Sequence, residues 1–185
     1  MRNYKDFILI VFDNEQVHIP SEDKKNITES YDFLKSFAQN KIIYGVNTGF
    51  GPMAQYRIAE EDQLQLQYNL IRSHAAGSGD YFDEETVRAA ILCRLNSLSL
   101  GKSGVHIEAI QLMCDLLNHQ ITPLIFKHGG VGASGDLVQL AHLALVLIGE
   151  GEVFYQGKRR PTADVFAQVG LKPLQIHLRE GLSLM

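Results

Sequence analysis

Apolar positions recur at helical spacing along most of this chain and follow strand-like patterns only in short stretches. The start, Phe7-Ile8-Leu9-Ile10-Val11-Phe12, then polar Asp13-Asn14-Glu15, then Val17-His18-Ile19, predicts a β-hairpin. Ser21 opens a helix with Ile27, Tyr31, Leu34 and Phe37 on one face. Lys41 to Tyr44 reads as a strand feeding a glycine-rich loop. Helices are predicted over 60–73 and 84–100, the second aligning Val87, Ile91, Leu95 and Leu98. Two more are predicted over 106–118 and 135–148, the former ended before Pro123. A second hairpin runs Glu152 to Tyr155, turns at Gln156-Gly157 and returns over Lys158 to Arg160. The expected fold class is mainly α with small β-hairpins, without repeats or an interdomain linker.

Composition narrows the functional classes. The 185 residues are 45% hydrophobic and 21% charged, with a net charge of −4, as in soluble globular proteins. The acidic balance and the lack of a basic cluster argue against nucleic acid, and Lys158-Arg159-Arg160 reads as a solvated hairpin edge. No apolar run reaches the roughly 18 residues of a membrane span, and no signal peptide is recognisable. Cys93 and Cys114 fall within helical patterns and read as reduced core residues, which suits a cytoplasmic protein. Histidines 74, 106, 119, 128 and 142 contain no i, i+4 pair, so no zinc or iron centre is expected.

The most informative chemistry lies in Gly132-Ala133-Ser134-Gly135-Asp136-Leu137. Held in a tight bend, Ala-Ser-Gly can cyclise: the Gly135 amide nitrogen attacks the Ala133 carbonyl carbon, and loss of two waters leaves an imidazolone. Dehydrated Ser134 becomes its exocyclic methylene, an electrophile that no ordinary side chain supplies. Glycine offers an uncrowded nitrogen, alanine an accessible carbonyl and serine a departing hydroxyl. Taken alone, the same letters also describe a helix entry with Ser134 or Asp136 as N-cap.

Further segments stand in order around that bend: Tyr44-Gly45-Val46-Asn47-Thr48-Gly49-Phe50-Gly51, Asn69-Leu70-Ile71-Arg72-Ser73-His74-Ala75-Ala76-Gly77, Arg94-Leu95-Asn96-Ser97-Leu98-Ser99, and Thr122-Pro123-Leu124 leading to Gly129-Gly130-Val131. From about Lys41 to Met185 the chain resembles the N-terminal part of the aromatic amino-acid ammonia-lyases, closest to bacterial histidine ammonia-lyases. The resemblance implies an N-terminal portion of that fumarase/aspartase-like helical fold, ending before most of the central bundle. It divides the chain into an α/β start with lid loop over 1–58 and helices, bend and hairpin over 59–185.

The same resemblance implies a self-formed 4-methylidene-imidazole-5-one (MIO) from Ala133, Ser134 and Gly135, with no external cofactor or metal. The implied reaction eliminates ammonia from a small aromatic L-amino acid, here L-histidine giving urocanate as the first step of histidine breakdown. The obstacle is a weakly acidic β-proton combined with a poor leaving group. Capture of the substrate amine or of its aromatic ring by the electrophile both remain open.

The resemblance implies that Tyr44, which the residues alone describe as a half-buried aromatic at a strand end, takes an acid–base role on a mobile lid, and it implies the substrate positions that follow. Ser73 and His74 flank the substrate ring, and Gly51 and Leu137 complete the substrate-binding positions. A histidine can serve a polar ring or a phenol hydroxyl, so tyrosine or phenylalanine lyase and aminomutase chemistry stay open. A non-catalytic or partner-binding fragment is the third reading. Family members are expected to be homotetramers whose sites draw on several subunits, so this chain is expected to hold a partial site and to expose apolar helix faces. Gln139 replaces a proline common after Asp-Leu-Val, which implies a less rigid helix entry.

Overall fold

The computed structural model describes residues 3–39, 41–131 and 137–185. Its first element corrects the sequence expectation. Tyr4–Phe12 is a helix, α1, not the first strand of a hairpin. A reciprocal cap decides this: Asp6 N–H donates to Asn3 Oδ1 at 3.0 Å, and Asn3 N–H donates to Asp6 Oδ2 at 3.2 Å. A short apolar run fits either element, so local capping settles it. The following Val17-His18-Ile19 belongs to no strand, with Val17 and Ile19 buried and His18 exposed. Its partner is a side chain: Asn118 Oδ1 accepts from Val17 N–H at 2.7 Å, and Asn118 Nδ2 donates to Val17 O at 3.0 Å. One amide thus supplies the donor and acceptor that a neighbouring strand would have offered.

The remaining helices are α2 (Ser21–Ala38), α3 (Glu60–His74), α4 (Glu84–Ser99), α5 (Ile107–Asn118), α6 (Leu137–Leu147), α7 (Thr162–Val169) and α8 (Glu180–Ser183). The predicted α4 face holds, with Val87, Ile91, Leu95 and Leu98 all buried. Burial at the start of α2 also holds at Ile27, but Phe37 is exposed, and its ring stacks on exposed Phe33 at 5.4 Å. Cys93 is exposed on α4, against the expectation of a core residue, whereas Cys114 is buried in α5.

Arg88 joins three helices. Its buried guanidinium donates to Ile10 O at 2.6 Å, Val11 O at 3.2 Å and Leu117 O at 3.2 Å. These carbonyls belong to the last turns of α1 and α5, which have no partner within their own helices. Burial lowers the pKa of this guanidinium, but a guanidinium stays charged throughout the accessible range.

Two small antiparallel sheets fix the loops. β1 (Ser78–Tyr81) pairs with β3 (Phe126–His128). β2 (Thr122–Pro123) lies beside β4 (Glu152–Tyr155), which pairs in turn with β5 (Lys158–Pro161). The β4–β5 hairpin matches the sequence expectation, while β1, β2 and β3 carry too few residues for their periodicity to be read. α3 packs on both α6 and α8. Among the described residues, no helix is long and apolar enough to cross a membrane.

Candidate functional site

The loop after α2 is built by side chains rather than by a strand. Lys41 to Ile43 belongs to no strand and Tyr44 to Asn47 forms turns, which corrects the strand expectation, with Ile43 O accepting from Val46 N–H at 3.1 Å and Asn47 N–H at 3.2 Å. Buried Asn47 accepts from Ile43 N–H through Oδ1 at 2.8 Å and donates through Nδ2 to Lys41 O at 2.7 Å. A bridge between Thr48 and Arg57 closes the loop, with Gly49 N–H on Tyr56 O at 3.0 Å.

On this frame Tyr44 is half exposed, its ring edge-on to Phe50 at 5.9 Å. Its hydroxyl accepts from Gly51 N–H at 3.3 Å. Gly51 sits at φ 53° and opens a short 3-10 turn, with open space where a Cβ would stand. Tyr44 and Gly51 are therefore together, the phenol at the loop surface.

Gln67 docks that loop. It is fully buried on α3, donates through Nε2 to Gly45 O at 3.1 Å and accepts from Leu182 N–H through Oε1 at 3.3 Å. A Cβ on Gly45, at φ 72°, would lie 2.1 Å from Leu182 Cδ2, so glycine is required for this close approach. The sequence analysis missed Gln67, because a glutamine within a polar helical run carries no signal of burial.

Ser73 and His74 end the same helix, seven residues beyond Gln67 or about 10 Å along the axis. Both turn back on one carbonyl: Ser73 Oγ donates to Leu70 O at 3.1 Å, and His74 Nδ1 lies 2.9 Å from the same oxygen. A carbonyl only accepts, so Nδ1 carries the proton and, in the neutral imidazole, Nε2 holds the lone pair. That tautomer presents an acceptor suited to any ring N–H or O–H. Arg72 holds the helix end in place through a forked ion pair with Glu150, NH2 to Oε1 at 2.6 Å.

Past His74 the backbone presses against α6 and β3. Gly77 N–H donates to His142 Nε2 at 3.0 Å, and a Cβ on Gly77 would lie 2.8 Å from that nitrogen and 3.1 Å from His128 O. A Cβ on Gly129 would lie 3.0 Å from Val138 Cγ1 and 3.1 Å from Gly77 Cα. Residues 129 and 138, on either side of 132–136, thus converge beside the turn that follows Ser73-His74. Leu137, half-buried, opens α6 there. Ala133, Ser134 and Gly135 lie outside the described residues. Burial pushes the pKa of the His142 imidazole down, keeping it neutral as the acceptor for Gly77.

A mainly helical frame, a side-chain-braced tyrosine loop and a serine–histidine helix end beside converging glycines define the class. The sequence profile of the aromatic amino acid lyases matches residues 3–185, and the chain belongs to that family. It is 45% identical over 184 residues to a histidine ammonia-lyase of Deinococcus radiodurans and 46% over 177 residues to one of Bacillus velezensis. These alignments take in 99% and 95% of this chain and 35% of each relative. The chain therefore spans about a third of the length of the curated relatives it matches.

Solved structures agree in fold. An ergothionase from Treponema denticola superposes with a TM-score of 0.94 at 30% identity, covering all of this chain and 37% of that one. A tyrosine aminomutase from Streptomyces globisporus gives 0.90 at 37% identity, over 97% of this chain and 34% of that one. A histidine ammonia-lyase from Trypanosoma cruzi gives 0.86 at 31%, over 96% and 35%.

Proposed function

We propose that this chain contributes the electrophile-bearing part of a histidine ammonia-lyase, an enzyme that eliminates ammonia from L-histidine to give urocanate. The observation that carries this reading is the Ser73-His74 helix end, with its Nε2 acceptor, beside the converging residues 129 and 138. Identities of 40–47% to histidine ammonia-lyases from several organisms support it.

The residues present suit MIO formation. Gly129 lies against both Gly77 and Val138, where a Cβ would stand 3.1 Å from Gly77 Cα and 3.0 Å from Val138 Cγ1, so the residues on either side of 132–136 approach closely. Ala133, Ser134 and Gly135 would form the group, which supplies an electrophilic methylene that makes the substrate's amino group a better leaving group. Leu137, at the start of α6, and Gly51, on the lid loop, would border the substrate. His74 Nε2 accepts from the substrate ring and orients it. Tyr44, reaching the site from a loop anchored by Asn47 and Gln67, exchanges a proton during removal of the β-hydrogen. The complete enzyme would be a cytoplasmic homotetramer.

A second reading keeps the chemistry and changes the ring. Tyrosine aminomutase structures share 36–37% identity with this chain, and the Nε2 acceptor fits a phenol as well as an imidazole.

Two measurements test these readings. The intact mass should fall below the encoded value by about 36 Da, the two waters lost on cyclisation; an unshifted mass rejects the electrophile. A polypeptide carrying this chain at the length of its relatives, offered L-histidine, L-tyrosine and L-phenylalanine, should release urocanate fastest. Preferential coumarate or cinnamate, or a β-amino acid, would reject the histidine assignment.

A further inference from the structure

His106, Glu108 and His177 form a cluster that includes none of the residues of the tyrosine loop or the α3 end. His106 is the N-cap of α5, Glu108 lies in its first turn, and His177 comes from the segment that enters α8. Glu108 and His177 are 69 residues apart in sequence, so no local spacing reveals the set. One donor atom from each residue lies within 4.8 Å of the other two.

The separations suit coordination. Glu108 Oε2 is 3.1 Å from His177 Nε2 and 3.5 Å from His106 Nδ1, the nitrogen that accepts from Glu108 N–H at a long 3.4 Å and would give up that bond to coordinate. Ligands about 2.1 Å from a tetrahedral ion stand about 3.4 Å from each other, so these two edges already match a shared metal. The imidazole rings lie with centroids 4.0 Å apart, both near the same carboxylate.

Their backbones are also held. The fully buried Glu180 carboxylate accepts from His106 N–H at 2.9 Å through Oε1, and from His177 N–H at 3.0 Å and Leu178 N–H at 2.9 Å through Oε2. Tyr31 packs edge-on against both rings, at 4.9 and 6.2 Å. Asp32, Glu108 and Glu180 all act electrostatically on the Tyr31 hydroxyl, which makes the local field negative. The α5 amide dipole opposes a cation here, a small effect beside coordinate bonds.

We propose that His106, Glu108 and His177 bind a divalent transition-metal ion of the zinc type, with a fourth position open to water. Two imidazoles and one carboxylate select this class over calcium or magnesium, which take oxygen ligands. The ion joins the start of α5 to the segment before α8. Because α8 also carries Leu182, the Gln67 partner that docks the tyrosine loop, the site is a structural clip behind that loop. It does not depend on the lyase assignment.

The test uses the untagged chain after chelator treatment, titrated with zinc against a chromogenic competitor. One equivalent should bind, and the affinity should fall at least tenfold in His177→Gln and in Glu108→Gln. Cobalt should give the visible bands of tetrahedral coordination in the wild type and lose them in both variants. Glu108 is exposed, so Glu108→Gln should fold like the wild type by circular dichroism and decides the matter should His177→Gln fold poorly. Zinc should raise the melting temperature of the wild type but not of Glu108→Gln. Absence of a stoichiometric site, or zinc binding unchanged in Glu108→Gln, would overturn the proposal.

Discussion

At the scale of single residues, the site is governed by which atoms already have partners. His74 spends Nδ1 on Leu70 O and keeps Nε2 as an acceptor. His74→Leu should therefore lower kcat/KM for the preferred substrate by about tenfold or more, as ring recognition is lost. Steady-state kinetics across the three amino acids would show it. In a polypeptide of the relatives' length, Tyr44→Phe should instead lower kcat by about 10²–10⁴-fold with little change in KM, because the role proposed for Tyr44 is proton transfer and the variant retains the ring. Gly77→Ala addresses fit alone. Its methyl would meet His142 Nε2 at 2.8 Å and Phe126 Cβ at 2.9 Å, so a loss of about 1–3 kcal/mol is expected in urea denaturation.

Between elements, buried polar side chains do the joining. Arg88→Met keeps the volume but orphans the Ile10 and Val11 carbonyls at the end of α1, while Leu117 O keeps Gln120 N–H, and should destabilise the fold by about 2–3 kcal/mol. Arg88→Lys should recover only part of this, because one ammonium cannot reproduce the guanidinium fork. Chemical denaturation of the two variants checks both statements. The same scale explains the mistaken hairpin. Val17 and Ile19 alternate as a strand should and are buried, but the Asn118 amide takes the place of a second strand. The first half of that hairpin became α1 through the Asn3–Asp6 cap. By contrast, the α4 stripe and the β4–β5 hairpin were legible, since the first repeats over many residues and the second brackets a Gln156-Gly157 turn.

For the molecule as a whole, pH acts through the contact between α6 and the Gly77 turn. His142 has its folded pKa lowered from 6.5 by burial. Between that folded value and 6.5 the unfolded chain binds more protons, so the unfolding free energy falls as pH falls. Stability from this group is complete above about pH 6.5 and is lost as acid drives the folded imidazole to protonate, which also abolishes its acceptor for Gly77. Denaturation midpoints between pH 7.5 and 5 should fall in the wild type and fall less in His142→Gln, whose amide oxygen can still accept. Equal slopes would remove His142 from the explanation. Exposed Phe33, Phe37, Tyr56 and Leu64 fit the apolar surface expected from the resemblance.

By itself the sequence determined the family and the helical class, and singled out Tyr44, Ser73 and His74 as candidate site groups, because motifs and long periodic faces are properties of neighbouring residues. Tertiary structure alone decided what holds those groups: Gln67 beneath the tyrosine loop, Arg88 across three helices, Glu180 behind two histidines. Each of these is a polar side chain with at least one backbone partner distant in sequence. No local pattern announces such a residue, since only the assembled core removes it from water and makes its hydrogen bonds obligatory.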